Sequence, residues 1–305
     1  MSKKFKLEKR IVVFLDILGF SHTVLNDPQN AKKIMHVLDD SVKSLKAAKK
    51  DHDLDSLKIT WFSDSIIISD SEVNIGALSD ILNAIENIQS FLCLSQITIR
   101  GGVSIGDCYH TGNNVFGEAM VRAYELEGKA ITPRVILGDE VIEMIEKDKL
   151  EQERALEQKY EYDLEIYKNS PKEMEEITKE YSNRITESDM IMSHLIKVDK
   201  DGRYYIDYIR ELLSRAVAFE KYDEKFCSDR YKDTILPIRE CIENGLRHKN
   251  ESVRNKYAWI AEKYNNEIKF IIKTVNKDFL NDFKNKTLQI IEYETVTLIE
   301  YKEVK

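Results

Sequence analysis

Residues 11–22, IVVFLDILGFSH, run five apolar residues into an aspartate, Asp16, and reach a glycine three positions later. The β-branched run reads as a buried strand. A carboxylate at the tip of such a strand sits where the chain leaves the core, and an adjoining glycine lets the backbone turn there. One aspartate beside one glycine decides nothing by itself. What matters is which other segments reach the same end.

Past this strand, after NDPQN, Ala31, Ile34, Met35, Leu38, Val42 and Leu45 recur at helical spacing, with Asp27-Pro28 at the helix start. LKITWF (57–62) and SIIIS (65–69) flank Asp64 as the two strands of a hairpin with a tight tip. A second helix carries Ile75, Leu78, Leu82, Ile85 and Ile88. ITIRGGVSIG (97–106) is the next strand, with CYHTG continuing beyond its turn, and residues 117–130 read as helical. RVILG (134–138) is a short strand and DEVIEMIEKD (139–148) a helix.

This β-α-β-β-α-β order, with additions, is an α+β, ferredoxin-like plan in which helices cover one face of a sheet. A doubly wound dinucleotide fold fits less well, because the first strand lacks the glycine-rich turn that would hold a pyrophosphate. The two regions expected are a catalytic domain over residues 9–148 and a mostly helical extension over 149–305 for packing and dimerisation. In the extension, EQERALEQKYEYDLEIYKNSPKEMEEITKEY (151–181) reads as helix broken near Asn169-Ser170-Pro171, with its charge run on a solvated face. HLIKVDKDGRYYIDYI (194–209) suggests a hairpin turning at Asp201-Gly202. Residues 252–275 form a long helix with Val253, Tyr257, Ile260, Ala261 and Tyr264 on its apolar side.

Composition bounds the function classes. The chain has 305 residues, 42% hydrophobic and 33% charged, with a formal charge of −8, which gives no electrostatic reason to expect nucleic acid as a partner. Cys93, Cys108, Cys227 and Cys241 have neither metal-ligand spacing nor disulfide-rich density and read as reduced thiols. No apolar stretch approaches the ~20 residues a membrane helix needs. A soluble cytoplasmic protein is expected. His110 has no nearby Cys or His partner, so a zinc site gains no support.

The first strand and the 59–69 hairpin are expected to be sheet neighbours, which would bring Asp16 and Asp64 to one edge. Two carboxylates that close repel unless a cation lies between them. Mg²⁺ or Mn²⁺ accepts such hard oxygen donors and brings waters or substrate phosphates as further ligands. In IRGGVSIGD (99–107), Arg100 offers fixed donors suited to a phosphate, and Gly101-Gly102 allow another element or a ligand to approach the backbone.

FLDILGFS, WFSDSIII and IRGGVSIGD…FGEAMVRAYELEGKA, in that order, resemble the class III nucleotide cyclase catalytic domain, and most closely the bacterial uridylate cyclases of Pycsar antiphage systems. The resemblance spans residues 9–140, and the 194–209 and 255–265 stretches look like parts of the same subgroup's extension. It implies that Asp16 and Asp64 are metal-binding aspartates and that the Ile17 carbonyl is a backbone metal ligand. It also implies that the turn Ile17, Leu18, Gly19 and Phe20 contacts phosphates, and that Arg100 lies near the triphosphate. Two Mn²⁺ or Mg²⁺ ions per site, attack of the 3′-hydroxyl on the α-phosphorus and departure of pyrophosphate come with it. So does a homodimer with composite sites, in which residues of the 100–125 region complete the opposite site.

The departures bear on the base. Where purine cyclases carry an asparagine and an arginine on the helix after the glycine strand, this chain has Val121 and Glu125, with Arg122 displaced from the usual position. The purine-recognition lysine corresponds to Thr60. Asn114 and Tyr124 are candidates near the base or ribose. The leading expectation is a pyrimidine nucleotide cyclase acting on UTP, or CTP, whose product acts on a separate effector in antiphage defence. The alternatives are a purine cyclase with an atypical site and a non-catalytic nucleotide-binding regulator. A palm-type polymerase shares the element order but is disfavoured by the acidic balance.

Overall fold

The computed structural model describes residues 6–48, 55–182, 184–217 and 231–274. Cys227 and the end of the expected 252–275 helix lie outside them. No helix among the described residues is long and apolar enough to cross a membrane.

The chain opens with β1 (Glu8–Ile17), a short α1 (Phe20–Asn26) and α2 (Pro28–Ala48), followed by β2 (Leu57–Phe62), β3 (Ser65–Asp70), α3 (Ile75–Leu94) and β4 (Ile99–Thr111). β5 (Asn114–Gly117), α4 (Glu118–Lys129), β6 (Val135–Leu137) and α5 (Asp139–Ile166) come next. Then follow α6 (Pro171–Ser182), α7 (Glu187–Met190), a π-helical turn (Ile191–Leu195), β7 (Ile196–Val198), β8 (Tyr204–Ile206) and α8 (Tyr208–Val217). After a second π-helical turn, α9 (Leu236–Leu246) and α10 (Glu251–Thr274) close the described chain.

Eight described strands form one mixed sheet in the order β2-β3-β1-β4-β6-β8-β7, with β5 hydrogen-bonded to β4. β1 runs antiparallel to both β3 and β4, and β4 runs parallel to β6. Because strand side chains alternate, the odd-numbered residues of β1 (Ile11, Val13, Leu15 and Ile17) enter the main core with Ile34 and Leu38 of α2, Leu78 and Ile85 of α3, and Val141 and Ile145 of α5. Burying an Ile or Leu this fully contributes roughly 1.5–3 kcal/mol each. The even-numbered residues face the other way, where Val12 and Phe14 pack with Ala119 and Ala123 of α4.

Three expectations change. The sheet is covered on both faces rather than one, because glycine and alanine let α4 come down onto the second face. A Cβ on Gly102 would lie 2.3 Å from the Ala123 carbonyl oxygen. The segment Cys108–Thr111 is not beyond a turn, because β4 runs unbroken to Thr111 and turns at Gly112-Asn113. The boundary at 148/149 falls inside the continuous helix α5, and the β7–β8 hairpin, which turns at Asp201-Gly202 as expected, extends the same sheet. Ile191, Leu195, Ile196 and Ile206 therefore belong to the main core. Beyond them α8, α9 and α10 build a second core around Leu213, Ile238, Ile242, Ile260 and Tyr264, which Cys93 of α3 joins.

Candidate functional site

Three strand ends meet where β1 finishes. Asp16 lies opposite Ser65 of β3 on one side and Arg100 of β4 on the other. The Ile17 N–H donates to the Asp64 carbonyl at 2.9 Å, so the hairpin tip is tied to the end of β1. Alternation sends Leu15 and Ile17 into the core and leaves Asp16 on the opposite face. At the tip, Ser63 adopts a left-handed backbone with φ 55°, which costs on the order of 1 kcal/mol in a non-glycine residue. The Trp61 indole N–H donates to the Ser63 carbonyl at 2.9 Å and helps hold that turn. On the other side, the Leu18 N–H donates to the Thr98 carbonyl at 2.9 Å. Gly19 takes a left-handed φ of 75° to start α1, and Phe20 packs against the main core.

The charges at this edge are linked. Arg100 Nε donates to Asp16 Oδ2 at 3.1 Å and lies 2.6 Å from Glu127 Oε1. Glu127 comes from the last turn of α4 and is buried. Burial pushes its carboxyl up, partly offset by the Arg100 guanidinium, while Asp16 adds to the rise. Half-buried Lys256 of α10 feels the charges of Arg100, Asp16 and Glu127. Burial and the neighbouring Arg100 lower its ammonium, against the opposing pull of the two acids. Asp16, Arg100 and Glu127 thus share one half-buried site beside the hairpin tip.

Other sequence candidates sit elsewhere. The Thr60 hydroxyl lies 2.8 Å from His110 Nε2 and 2.9 Å from the Gly112 carbonyl, and Ser69 Oγ lies 2.7 Å from His110 Nδ1. Arg10 Nε donates to Ser69 Oγ at 2.9 Å. One assignment satisfies every group: Arg10 donates to Ser69, Ser69 to Nδ1, Nε2–H to Thr60 and Thr60 to the Gly112 carbonyl. It requires a neutral imidazole. Burial, then Arg10 and Lys58, lower His110 to about 4, in keeping with that state. Thr60 is thereby fully engaged. Arg122 pairs with Glu118 and lies 3.8 Å from Glu140, facing a cleft between α4, α5 and the β7–β8 hairpin. Asn114 is exposed at the start of β5. Tyr124 is 57% exposed and meets Phe14 edge-on at 5.4 Å.

The structure thus gathers Asp16, Asp64, Arg100 and the 17–20 turn, and leaves Thr60, Asn114 and Arg122 apart from them. Among the described residues, no group of three or more His, Cys, Asp or Glu is placed to hold a metal ion. The donor set at the edge is two aspartates and a backbone carbonyl, which suits a hard divalent cation only if water or phosphate oxygens complete it. Asp16 is meanwhile ion-paired with Arg100. Glu127 and Lys256 were missed in the sequence. Glu127 had a signal: it follows Ala119 and Ala123 at four-residue steps on the buried face of α4. Lys256 had none, since it precedes Tyr257 in a helix remote in sequence.

No protein-family profile and no curated protein matches the sequence. Among solved structures the chain is similar to a class III adenylyl cyclase-like ATP-binding protein from Pseudomonas aeruginosa, at 11% identity and a TM-score of 0.32, over 44% of this chain and 34% of that one. It is also similar to a bacterial light-regulated adenylyl cyclase, at 15% identity and a TM-score of 0.29, over 45% of this chain and 44% of that one. The chain therefore spans less than half the length of either.

Proposed function

We propose that this chain is a nucleotide cyclase that takes a nucleoside triphosphate to its 3′,5′-cyclic monophosphate and pyrophosphate, with a pyrimidine base preferred. The observation that carries the reading is the convergence of Asp16 and Asp64 at adjoining strand ends with Arg100 beside them. The antiparallel order β2-β3-β1-β4, with α2 and α3 on one face, is what a ferredoxin-like βαββαβ core requires and supports it. So does the motif resemblance of residues 9–140.

In this reading Asp16, Asp64 and the Ile17 carbonyl hold Mg²⁺ or Mn²⁺. When bound, the ions would neutralise phosphate charge and acidify the attacking hydroxyl. Arg100 supplies a guanidinium to the triphosphate, and the 17–20 turn borders it. The base preference rests on Thr60, whose hydroxyl is consumed by His110 and Gly112 and which offers no lysine to a purine. Arg100 binds Asp16 of its own chain. A composite dimer would therefore draw its second half from the exposed side of α4, where Val121 and Tyr124 lie. Production of a messenger for a separate effector in phage defence belongs to the same proposal.

A second reading is a nucleotide-binding regulator without turnover, favoured by the ion pair that occupies Asp16. One experiment separates the two. The full chain is offered ATP, GTP, CTP and UTP in equal amounts with Mn²⁺, and products are resolved by chromatography and mass, with Asp64→Ala as control. A cyclic pyrimidine nucleotide absent from the control is expected. A cyclic purine would overturn the base assignment. Metal-dependent nucleotide binding with no cyclic product would establish the regulator.

A further inference from the structure

α4 comes down onto the sheet in four-residue steps. A Cβ on Gly106 would lie 3.5 Å from that of Ala119, and one on Gly102 would lie 2.3 Å from the Ala123 carbonyl oxygen. One further turn, about 5.4 Å along the helix, brings Glu127 to Arg100, two residues before Gly102 and on the same face of β4. Glycine at the first two stations admits the helix. At the third a buried acid meets an arginine.

Arg100 has a single Nε–H. It points to Asp16 Oδ2 at 3.1 Å, although Glu127 Oε1 is nearer to the same nitrogen, at 2.6 Å. Glu127 Oε1 is buried and accepts no hydrogen bond from a described residue. Neither terminal nitrogen of the Arg100 guanidinium donates to a described residue, and the side chain is part-exposed.

Buried polar atoms in folded proteins ordinarily have a hydrogen-bond partner. Glu127 Oε1 instead touches a donor that serves another acid, and it gains the bond if Asp16 lets go. A divalent cation held by Asp16 competes with Arg100 for that carboxylate, because the two positive charges repel across it. We propose that Glu127 is a positioning residue for Arg100: when Asp16 turns to a cation, the Nε–H passes to Glu127, which keeps the guanidinium in place with its two terminal nitrogens open to a polyphosphate. Glu127 acts here as an acceptor oxygen and not as a charge. The planar fork of Arg100 then faces the phosphates in a fixed orientation. The inference rests on the nucleotide-binding reading above and deepens it by assigning the group that orients the phosphate-facing arginine.

The competing role is purely structural, with Glu127 only packing α4 on the sheet. Titration calorimetry of the full chain with inorganic tripolyphosphate, in metal-free buffer, tells them apart, because Asp16→Ala removes the competing acceptor in place of a cation. In that background Glu127→Gln keeps an acceptor oxygen and Glu127→Met does not, while both are neutral. Glu127→Met should bind tripolyphosphate about tenfold or more weakly than Glu127→Gln, the scale of one charge-assisted contact. With Asp16 intact the Nε–H already has its acceptor, and the two variants should agree within about twofold. If Glu127→Met folds poorly, Glu127→Leu makes the same comparison. Equal affinities of the amide and apolar variants in the Asp16→Ala background would overturn the assignment of Glu127 alone. So would an equal loss in both backgrounds, which would mean that the Nε–H never passes between the two acids. A wild-type chain that binds no tripolyphosphate, with or without Mg²⁺, would instead overturn the nucleotide reading itself.

Discussion

Arg100 and Arg134 stand side by side: β4 and β6 run parallel with Gly101 opposite Val135, so each arginine enters its strand at the same level. Their surroundings differ. Arg134 is 5% exposed and donates to Asp199 at 2.6 Å and to Asp201 at 2.5 and 3.1 Å. Asp199 also receives the Trp259 indole N–H and Lys263, each at 2.7 Å, and Asp201 receives Arg203 at 2.7 Å. Arg100 is 28% exposed and shares Nε between Asp16 and Glu127. The first cluster saturates its acids and locks the β7–β8 hairpin and α10 to the sheet. The second is more open, and its acid from α4, Glu127, is held charged against its own burial. Saturated charges hold a fold together; incompletely satisfied ones can be exchanged for a ligand.

The titration directions agree with that contrast. Burial raises Asp199, but donation from Lys263, the Lys200 N–H and Trp259 more than reverses it. Hydrogen bonds from Arg134 hold Asp201 well below the usual carboxylate range. In the Arg100 cluster, Glu127 goes up and Lys256 goes down, both chiefly by burial. There each charged form is held against its own desolvation.

The sharpest way to break the comparison is to remove each arginine in turn. Arg134→Met leaves two acids without their shared partner, one of them buried, and should cost about 3–5 kcal/mol of stability. Arg100→Met removes a partner from a more open site and should cost clearly less while abolishing tripolyphosphate binding. Urea unfolding of the two variants checks this. Equal losses would mean that the Arg100 cluster is structural too.

A second test uses pH. His110 is neutral in the fold and lowered to about 4, so the unfolded chain, with His near 6.5, binds the proton first. Stability should therefore fall as pH drops from about 6.5 toward 4, by on the order of 2–3 kcal/mol from this residue. The depressed Asp199 and Asp201 act lower, losing their contribution only as pH passes below the unfolded carboxylate value toward their folded ones. His110→Gln should flatten the upper window in thermal melts and leave the lower one. Parallel curves for wild type and His110→Gln would remove the buried imidazole from the account.

Much of this was legible in the sequence. The apolar runs of β1 and β3, the Asp64 tip, the α2 and α3 stripes and the Asp201-Gly202 turn are local patterns, and each formed where its spacing pointed. The meeting of Asp16 and Asp64 followed from placing β1 next to β3. What escaped was non-local. The descent of α4 onto the sheet depends on Gly102 meeting Ala123, and the Thr60 hydroxyl is engaged by His110 from a strand fifty residues away. Arg122, a candidate only through the resemblance and displaced there from the usual arginine position, is directed by its place on the turn to Glu118 and Glu140. Only the last turn of α4, at Glu127, reaches Arg100.

Glu127 gives the smallest expected change in stability and the cleanest separation of the two clusters. Its raised carboxyl means that the folded state binds its proton more tightly than the unfolded chain does. The ionised form therefore subtracts stability above the unfolded value, and that deficit disappears as pH falls below it. Glu127→Gln keeps an acceptor oxygen near Arg100 Nε while discarding the buried charge. Stability at pH 7 should stay within about 1 kcal/mol of wild type, on the gaining side. Asp199→Asn, made in the saturated cluster, should lose several kcal/mol because Arg134 and Lys263 are left facing a neutral amide. Thermal melts of the two amides, side by side, measure the contrast directly. With Glu127 neutral, one negative charge fewer stands beside Arg100, and inorganic tripolyphosphate should bind more tightly, not less.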